Sequence, residues 1–457
     1  MEVVCIGSGY VGSVTGTAFA ALGYPTVIVD TDSKKVDEMN RGVSPIFEPH
    51  LSELISQMVH SAMLSATQSY ECVYRADVIF IAVGTPSRSD GTADLKYVES
   101  AARSLGKHLN PGKFTVIVNK STVPAGTAQW VASLIEEASG LLHNQHFAVV
   151  SNPEFLREGY ALEDVFFPDR IVVGAGYEQA ADTMRALYQP LMERNFLDHS
   201  FIRGMFAHRL SSPAPVYVQT DATSAELIKY VSNAFLAVKI SYMNEVARLC
   251  EALGANVLDV AYGMGLDSRI GAKFLQVSSG WSGSCFPKDT AEILQASQRS
   301  GSELTIVKAA VQANQGMHDY CIHKVERALT SLQGKHIGIL GLTFKPNTDD
   351  ARSTQASYII EKLLKLGATV AVHDPQGMEM FRKVNPHLTV HYCERPEDTA
   401  HTADGIILLT HWEEYQFLHW DEMRSAMNYD GYILDTRNFL DPQQLDEAGF
   451  IYEGLGK

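Results

Sequence analysis

Cys285 stands in the run Ser282-Gly283-Ser284-Cys285-Phe286-Pro287-Lys288-Asp289, between small residues and just ahead of a cation and a carboxylate. Polar, partly positive surroundings of this kind lower a thiol pKa and favour the thiolate, the form that attacks electrophilic carbon. The glycine in the lead-in leaves room for a substrate to approach backbone amides. The chemistry on offer is covalent, nucleophilic catalysis. A buried structural cysteine is the competing reading, since free cysteine is among the most buried residue types. The local sequence weighs the two equally.

A second chemistry opens the chain. Val3 to Gly7 reads as a strand, and Gly7-Ser8-Gly9-Tyr10-Val11-Gly12 then begins a helix. This is the GxGxxG pattern in the strand–turn–helix context that gives it meaning. Gly7 permits the tight turn, Gly9 lets backbone approach a pyrophosphate, and Gly12 lets helix and strand pack closely. The next strand ends at Asp30. A carboxylate there accepts from both ribose hydroxyls and repels a 2′-phosphate, so NAD is favoured over NADP. Lys35 could pair with a phosphate or ribose, or simply cover the helix surface. Gly84-Thr85-Pro86 and Lys120-Ser121-Thr122-Val123-Pro124 also follow strands and supply hydroxyls at sharp turns. Such strand ends face the crevice where open α/β sheets bind ligands, although each alone is an ordinary strand-to-loop transition.

Elements able to position these groups follow from the apolar pattern. Runs at 3–7, 26–30, 77–84, 114–121, 147–153 and 170–175 are β-branched and apolar on both faces, which suits buried parallel strands with helices between them. From Ser224 to Leu253 the pattern turns helical, with Ile228, Val231, Phe235, Val238 and Tyr242 in register and Thr223 or Ser224 as a cap. Thr305 to Leu329 is helical too. Strand–helix alternation returns with runs at 336–341, 369–375, 405–412 and 431–436. The expectation is an α/β chain of two Rossmann-like parallel-sheet domains joined by a long central helical region, with boundaries 1–220, 221–330 and 331–457. The stretch 197–216 is expected to be a surface insertion.

Composition narrows the partners. A formal net charge of -16 disfavours nucleic acid, while a local basic pocket can still take an anionic substrate. The six cysteines show no CxxC spacing, so neither structural zinc nor a disulfide framework is expected, and a reducing compartment fits. No apolar run approaches membrane-spanning length and no leader precedes the first strand, so a soluble cytoplasmic protein without membrane contact is expected.

The chain resembles the UDP-glucose/GDP-mannose dehydrogenase family. GSGYVG (7–12), GTP (84–86), KSTVP (120–124), NPEFLREG (152–159), SAELIKYVSNAFLAVKISYMNE (224–245), SGSCFPKD (282–289) and GLTFKPNTDDAR (341–352) look like that family's blocks in that family's order. The resemblance implies an NAD-binding domain, a central helical dimerisation domain and a UDP-sugar-binding domain, in a homodimer or higher homo-oligomer. It implies a four-electron oxidation with two NAD reduced per turnover. Cys285 would trap the aldehyde as a thiohemiacetal, whose oxidation gives a thioester that water opens. Lys229 and Asn233 match the oxyanion-stabilising pair, and Glu154 and Glu158 match carboxylates at the substrate and the hydrolytic water. Asp289 and a Thr122-bound water match the acid–base machinery; Asp289, Lys229 or a water could take the first proton.

By the same resemblance, Gly7, Gly9, Tyr10, Val11, Gly12, Asp30, Lys35, Thr85, Thr122, Glu158, Ser284, Lys288 and Arg352 would line the cofactor. Glu154, Phe155, Leu156, Arg157, Glu158, Lys229, Asn233, Phe274, Leu275, Gln276, Val277, Ser278, Ser282 and Lys345 would line the nucleotide sugar. Arg269 would reach a neighbouring subunit's sugar. Ser282 departs from the family, which has glycine there, and a serine would be strained if the position needs φ > 0. The stretch 152–159 favours UDP-glucose as substrate, with GDP-mannose as the alternative and an inactive nucleotide-sugar binding module as a third reading. No metal is expected.

Overall fold

Eight strands carry the first unit of the computed structural model, which describes residues 1–428 and 431–457 and divides into Met1–Val231 and Ser232–Lys457. They are β1 (Val3–Ile6), β2 (Thr26–Val29), β3 (Leu64–Thr67), β4 (Val78–Ile81), β5 (Thr115–Asn119), β6 (Phe147–Ser151), β7 (Arg170–Gly174) and β8 (Val216–Thr220), in spatial order β3-β2-β1-β4-β5-β6-β7-β8. Val3, Cys5, Phe80, Val116 and Val118 face one apolar cluster, while Val4, Ile6, Ile79, Ile81 and Ile117 face another. Helices therefore cover both faces, which is why these strands read as unbroken apolar runs. The order reverses between β1 and β4, so a crevice opens at their carboxyl ends.

The second unit repeats the device. Its strands are β9 (His336–Leu340), β10 (Thr369–His373), β11 (His391–Tyr392), β12 (Gly405–Leu408), β13 (Tyr432–Asp435) and β14 (Ile451–Gly454), in order β11-β10-β9-β12-β13-β14 and all parallel. Every strand run expected from sequence is present, and the additional ones, β3, β8, β11 and β14, include all four sheet edges. Edge strands are short or one-sidedly buried and leave a weaker apolar trace.

Three expectations need correction. The run at 170–174 is not parallel to its neighbour: β7 meets β6 antiparallel through Ser151 and Gly174, then pairs parallel with β8. The connection holds only the helix Ala161–Phe166. Six helical residues rise about 9 Å, against roughly 17 Å for a five-residue strand, too little for a full return crossover. The stretch 197–216 is not a surface insertion. Phe196, Ile202 and Phe206 join the main core, and Phe196 and Phe206 pack on Phe166 and Phe167. The helix Ala222–Leu253 spans 32 residues, as its pattern predicts, but Asp221 caps it by accepting from the Ser224 amide at 2.8 Å. Its buried face carries Ala225, Tyr230, Ala234, Ala237 and Met243, whereas Val231, Phe235 and Tyr242 are exposed. The boundary between the units falls inside this helix, and the helices Val257–Gly265, Phe286–Arg299 and Thr305–Leu329 that follow it belong to the second unit.

Candidate active site

The first unit builds a dinucleotide cradle from three glycines that differ in kind. Gly7 adopts φ +102, and a Cβ there would lie 2.7 Å from the Ala82 carbonyl oxygen. At Gly12 a Cβ would lie 1.9 Å from the Gly7 carbonyl oxygen. At Gly9 nothing lies within 4 Å. Two glycines are thus required by packing, and the middle one leaves open the space that a side chain would fill. Gly9 precedes the helix Tyr10–Ala21, which no side chain caps, so its first N–H groups point at that space. Asp30 accepts from the Ser8 amide and hydroxyl, both at 2.6 Å, and from the Asp32 amide at 2.9 Å. Burial alone would raise its carboxyl, but these hydrogen bonds and nearby Lys35 outweigh burial and hold it below the usual range. The residues present fit NAD: an anion site, an open backbone approach and an ionised carboxylate at the end of β2.

The second sheet has the same first turn without the same opening. Gly341 (φ +98) ends β9 as Gly7 ends β1, and a Cβ there would meet Thr410. Its carboxylate at the end of β10, Asp374, is wholly buried. It accepts from the amides of Leu342, Thr343, Gln376 and Gly377 and from Trp412 Nε1. Asp374 is consumed by the fold, whereas Asp30 is half-buried and keeps acceptor capacity for a ligand.

Other expected residues of the first unit gather on strand ends. Thr85, buried after β4, donates to the Thr122 carbonyl at 2.9 Å and ties together the two hydroxyl-bearing turns. Lys229 is buried, and its Nζ donates to Glu154 Oε1 at 2.9 Å beside the Phe155 ring. Burial would raise the Glu154 carboxyl, but Lys229 and the Leu156 amide more than offset it and hold it low. Glu154 and Glu158 share an irregular loop rather than a helix. Arg157 is turned to Asp164, at 2.6 Å. The Tyr10 hydroxyl accepts from the Gly159 amide at 2.7 Å and donates to Glu48, so its side chain is tied to the 159 loop.

In the second unit Cys285 is exposed and is the N-cap of the helix Phe286–Arg299, with Pro287 in the first turn. The positive end of a helix dipole therefore faces the sulfur. The structural-cysteine alternative is excluded by this exposure, and by contrast the thiols of Cys5 and Cys321 are buried and pushed up to about 12. Asp289, 1% exposed, accepts from Asn233 Nδ2 at 2.6 Å and from Lys288 Nζ at 2.5 Å. Ser284 Oγ lies 3.8 Å from Cys285 Sγ. Lys229 and Asn233 stand one turn apart on the long helix, each already bonded to a carboxylate.

The cysteine loop corrects one expectation. Positive φ falls at Gly280 and Gly283, not at Ser282, so the serine is unstrained, and its hydroxyl donates to Gln355 Oε1. Gly283 lies on the Phe344 ring, where a Cβ would come within 2.7 Å. Along 274–278, Leu275 and Val277 point into the core, so they can offer a ligand only backbone, while Phe274 (φ 65) and Gln276 turn outward. Ser278 is buried. Lys345 sits over the Phe344 ring, and Arg352 is held by Asp350 through two bonds of 2.7 and 2.8 Å. Arg269 is almost fully exposed and paired with Asp267.

Two buried groups were not picked out from sequence. Glu48 accepts from the amides of Gly159 and Ala161, both at 2.6 Å, as well as from Tyr10. Lys120 donates to Asn152 Oδ1 at 3.0 Å, and burial pushes its ammonium down to about 8 against the opposing pull of Glu154. A charge inside an otherwise apolar strand end was the available signal for Lys120; Glu48 carried none.

Residues 1–192 match the NAD binding domain of the UDP-glucose/GDP-mannose dehydrogenase family, 223–316 its central domain and 338–442 its UDP binding domain. The chain is 42% identical to a UDP-glucose 6-dehydrogenase of Rhizobium meliloti (strain 1021), with all of both chains covered. It is 40% identical to UDP-glucose 6-dehydrogenase TuaD of Bacillus subtilis (strain 168), over 100% of this chain and 93% of that one. A solved UDP-glucose dehydrogenase from the archaeon Pyrobaculum islandicum superposes with a TM-score of 0.86 at 39% identity, covering 99% of this chain and 97% of that one.

Proposed function

The chain belongs to the UDP-glucose/GDP-mannose dehydrogenase family, and on that premise we propose that it oxidises UDP-glucose to UDP-glucuronate, reducing two NAD per turnover. Full-length similarity to UDP-glucose 6-dehydrogenases supports the substrate. The single observation that supports the chemistry is Cys285, exposed at a helix N-terminus beside the Asn233–Asp289–Lys288 cluster.

NAD, when bound, accepts a hydride in each of the two oxidations. Asp289 is the acid–base group: two donors fix it as an acceptor, and it removes the proton of the C6 hydroxyl as C6 loses its hydride. The Cys285 sulfur adds to the resulting aldehyde carbon, giving a thiohemiacetal whose carbon still bears a hydride to lose. Loss of that second hydride leaves a thioester on Cys285. Water, directed by Glu158, adds to the carbonyl, and the C–S bond breaks to release the acid and restore the thiol. Lys229 is fixed as a donor by Glu154, which suits it to stabilise the oxyanion. Asn233 keeps a second N–H for the same oxygen, because a primary amide has two.

The remaining residues bind. In the first unit Gly9, Val11, Asp30, Lys35 and Thr85 hold the cofactor, and in the second Phe274, Gln276, Ser278, Ser282 and Lys345 hold the nucleotide sugar. Among the described residues no helix is long and apolar enough to cross a membrane, and all six cysteines are free thiols, which supports a cytoplasmic site of action. The exposed Phe235, Tyr242, Tyr262 and Leu266 support a second copy of the chain as partner.

The test is a substrate panel with NADH absorbance as readout. UDP-glucose should yield two NADH per sugar and GDP-mannose none. A better response to GDP-mannose would reassign the substrate, one NADH per sugar would mean arrest at the aldehyde, and none with any sugar would leave a binding module.

A further inference from the structure

We propose that Asn314 is a positioning residue for the Cys285 loop. The segment from Gln276 to Gly283 has no helix or strand, so its buried backbone groups must find side-chain partners. Asn314, 5% exposed on the helix Thr305–Leu329, supplies two of them to one residue. Its Oδ1 accepts from the Trp281 amide at 2.7 Å, and its Nδ2 donates to the Trp281 carbonyl at 2.9 Å. A strand neighbour would satisfy a backbone in the same way.

Further contacts fix the direction in which the loop leaves this clamp. Trp281 Nε1 donates to Ser241 Oγ at 2.9 Å, and Ser241 donates to the Ala310 carbonyl at 2.8 Å, four residues from Asn314 on the same helix. The Ser278 amide donates to Asn244 at 2.9 Å. Gly280 (φ +126) presses so closely on the clamp that a Cβ would sit 2.8 Å from Asn314 Oδ1. Past Trp281, the Gly283 amide donates to the Ser353 carbonyl at 3.1 Å, and two residues later comes the sulfur. Asn314 is bonded to the backbone of Trp281, four residues ahead of the thiol. It acts by setting where the chain enters the turn that presents the thiol.

The inference rests on the nucleophilic role of Cys285, and its test separates the two. In Asn314→Leu, kcat should fall about 100-fold, the loss expected when a reacting group shifts by about 1 Å, while the KM for NAD stays within about twofold. Asn314→Asp distinguishes positioning from loss of fold. An ionised carboxylate can accept from Trp281 but cannot donate to its carbonyl; a protonated one does both. Burial at this position and the facing Trp281 carbonyl disfavour the ionised carboxylate, so the ratio of Asn314→Asp to wild-type kcat should rise as pH falls from about 8.5 to about 5.5. In parallel, the rate of Cys285 alkylation by iodoacetamide, read by peptide mass spectrometry, should change at least fivefold in Asn314→Leu and follow the same pH trend in Asn314→Asp. Alkylation needs no turnover, so it reports on the loop even if the wild type oxidises no sugar. Wild-type kcat and alkylation in folded Asn314→Leu would overturn the proposal. Should that variant fail to fold, a flat pH ratio for both readouts in Asn314→Asp would overturn it.

Discussion

Asn233 and Asp289 are joined by a hydrogen bond of 2.6 Å, amide to carboxylate, with Lys288 on the other carboxylate oxygen. Asp289 is thereby a fixed acceptor in a nearly closed environment. Asp289→Asn keeps the shape and removes the base. It is expected to lower kcat by about 10²- to 10⁴-fold, the usual worth of a positioned acid–base group, with NAD affinity unchanged. Steady-state kinetics beside NAD titration measures both, and a kcat within about threefold of wild type would take proton transfer away from Asp289.

Glu154→Gln leaves the Lys229 ammonium buried without its carboxylate. Stranding one member of a buried pair costs about 3–5 kcal/mol, so denaturant unfolding near pH 7 should show a loss of that order. The Glu154 carboxyl is held below its ordinary value in the folded chain. Its contribution is therefore complete above the unfolded carboxyl value of about 4.3 and disappears as pH falls through the lower folded value. The stability gap between wild type and variant should narrow only below about pH 4.3. An equal gap at acid and neutral pH would contradict the ion pair.

Asp30→Ala removes the carboxylate at the end of β2. Hydrogen bonds to charged groups contribute about 1.5–3 kcal/mol, which corresponds to an NAD complex about 10- to 150-fold weaker. Sugar-nucleotide affinity should not move, because Asp30 belongs to the cofactor set alone. Calorimetric titration with each ligand decides it, and unchanged NAD affinity would remove Asp30 from the site.

Phe235→Arg places a charge on the exposed apolar stripe of the long helix, where Phe235 is 63% exposed. If this face meets a second copy, sedimentation should show a shift from dimer or larger species toward monomer. An unchanged sedimentation profile would mean that the interface lies elsewhere.

How much of this could be read in advance depended on range. The Gly7–Gly12 turn was legible because six consecutive residues determine it, and the strand cores because burial on both faces leaves continuous apolar runs. Asp30 was legible from spacing alone. Cys285 was only half legible: its neighbours gave a polar setting, but a helix N-cap and an exposed sulfur are facts of folding. Glu48 reaches Gly159 across 111 residues, and Asn314 reaches Trp281 across 33. No local pattern announces such pairs. The stripe of Val231, Phe235 and Tyr242 has the expected helical period and lies exposed. Periodicity shows that a helix has an apolar face, not whether its own chain covers that face.

The most direct test is Cys285→Ala, mixed with NAD and UDP-glucose, quenched and analysed for acid. A side chain that cannot form a thiohemiacetal should produce no UDP-glucuronate, while NAD binding, in which the Cys285 side chain has no part, stays at wild-type strength. Acid formation at a near-normal rate would contradict a covalent route through this sulfur.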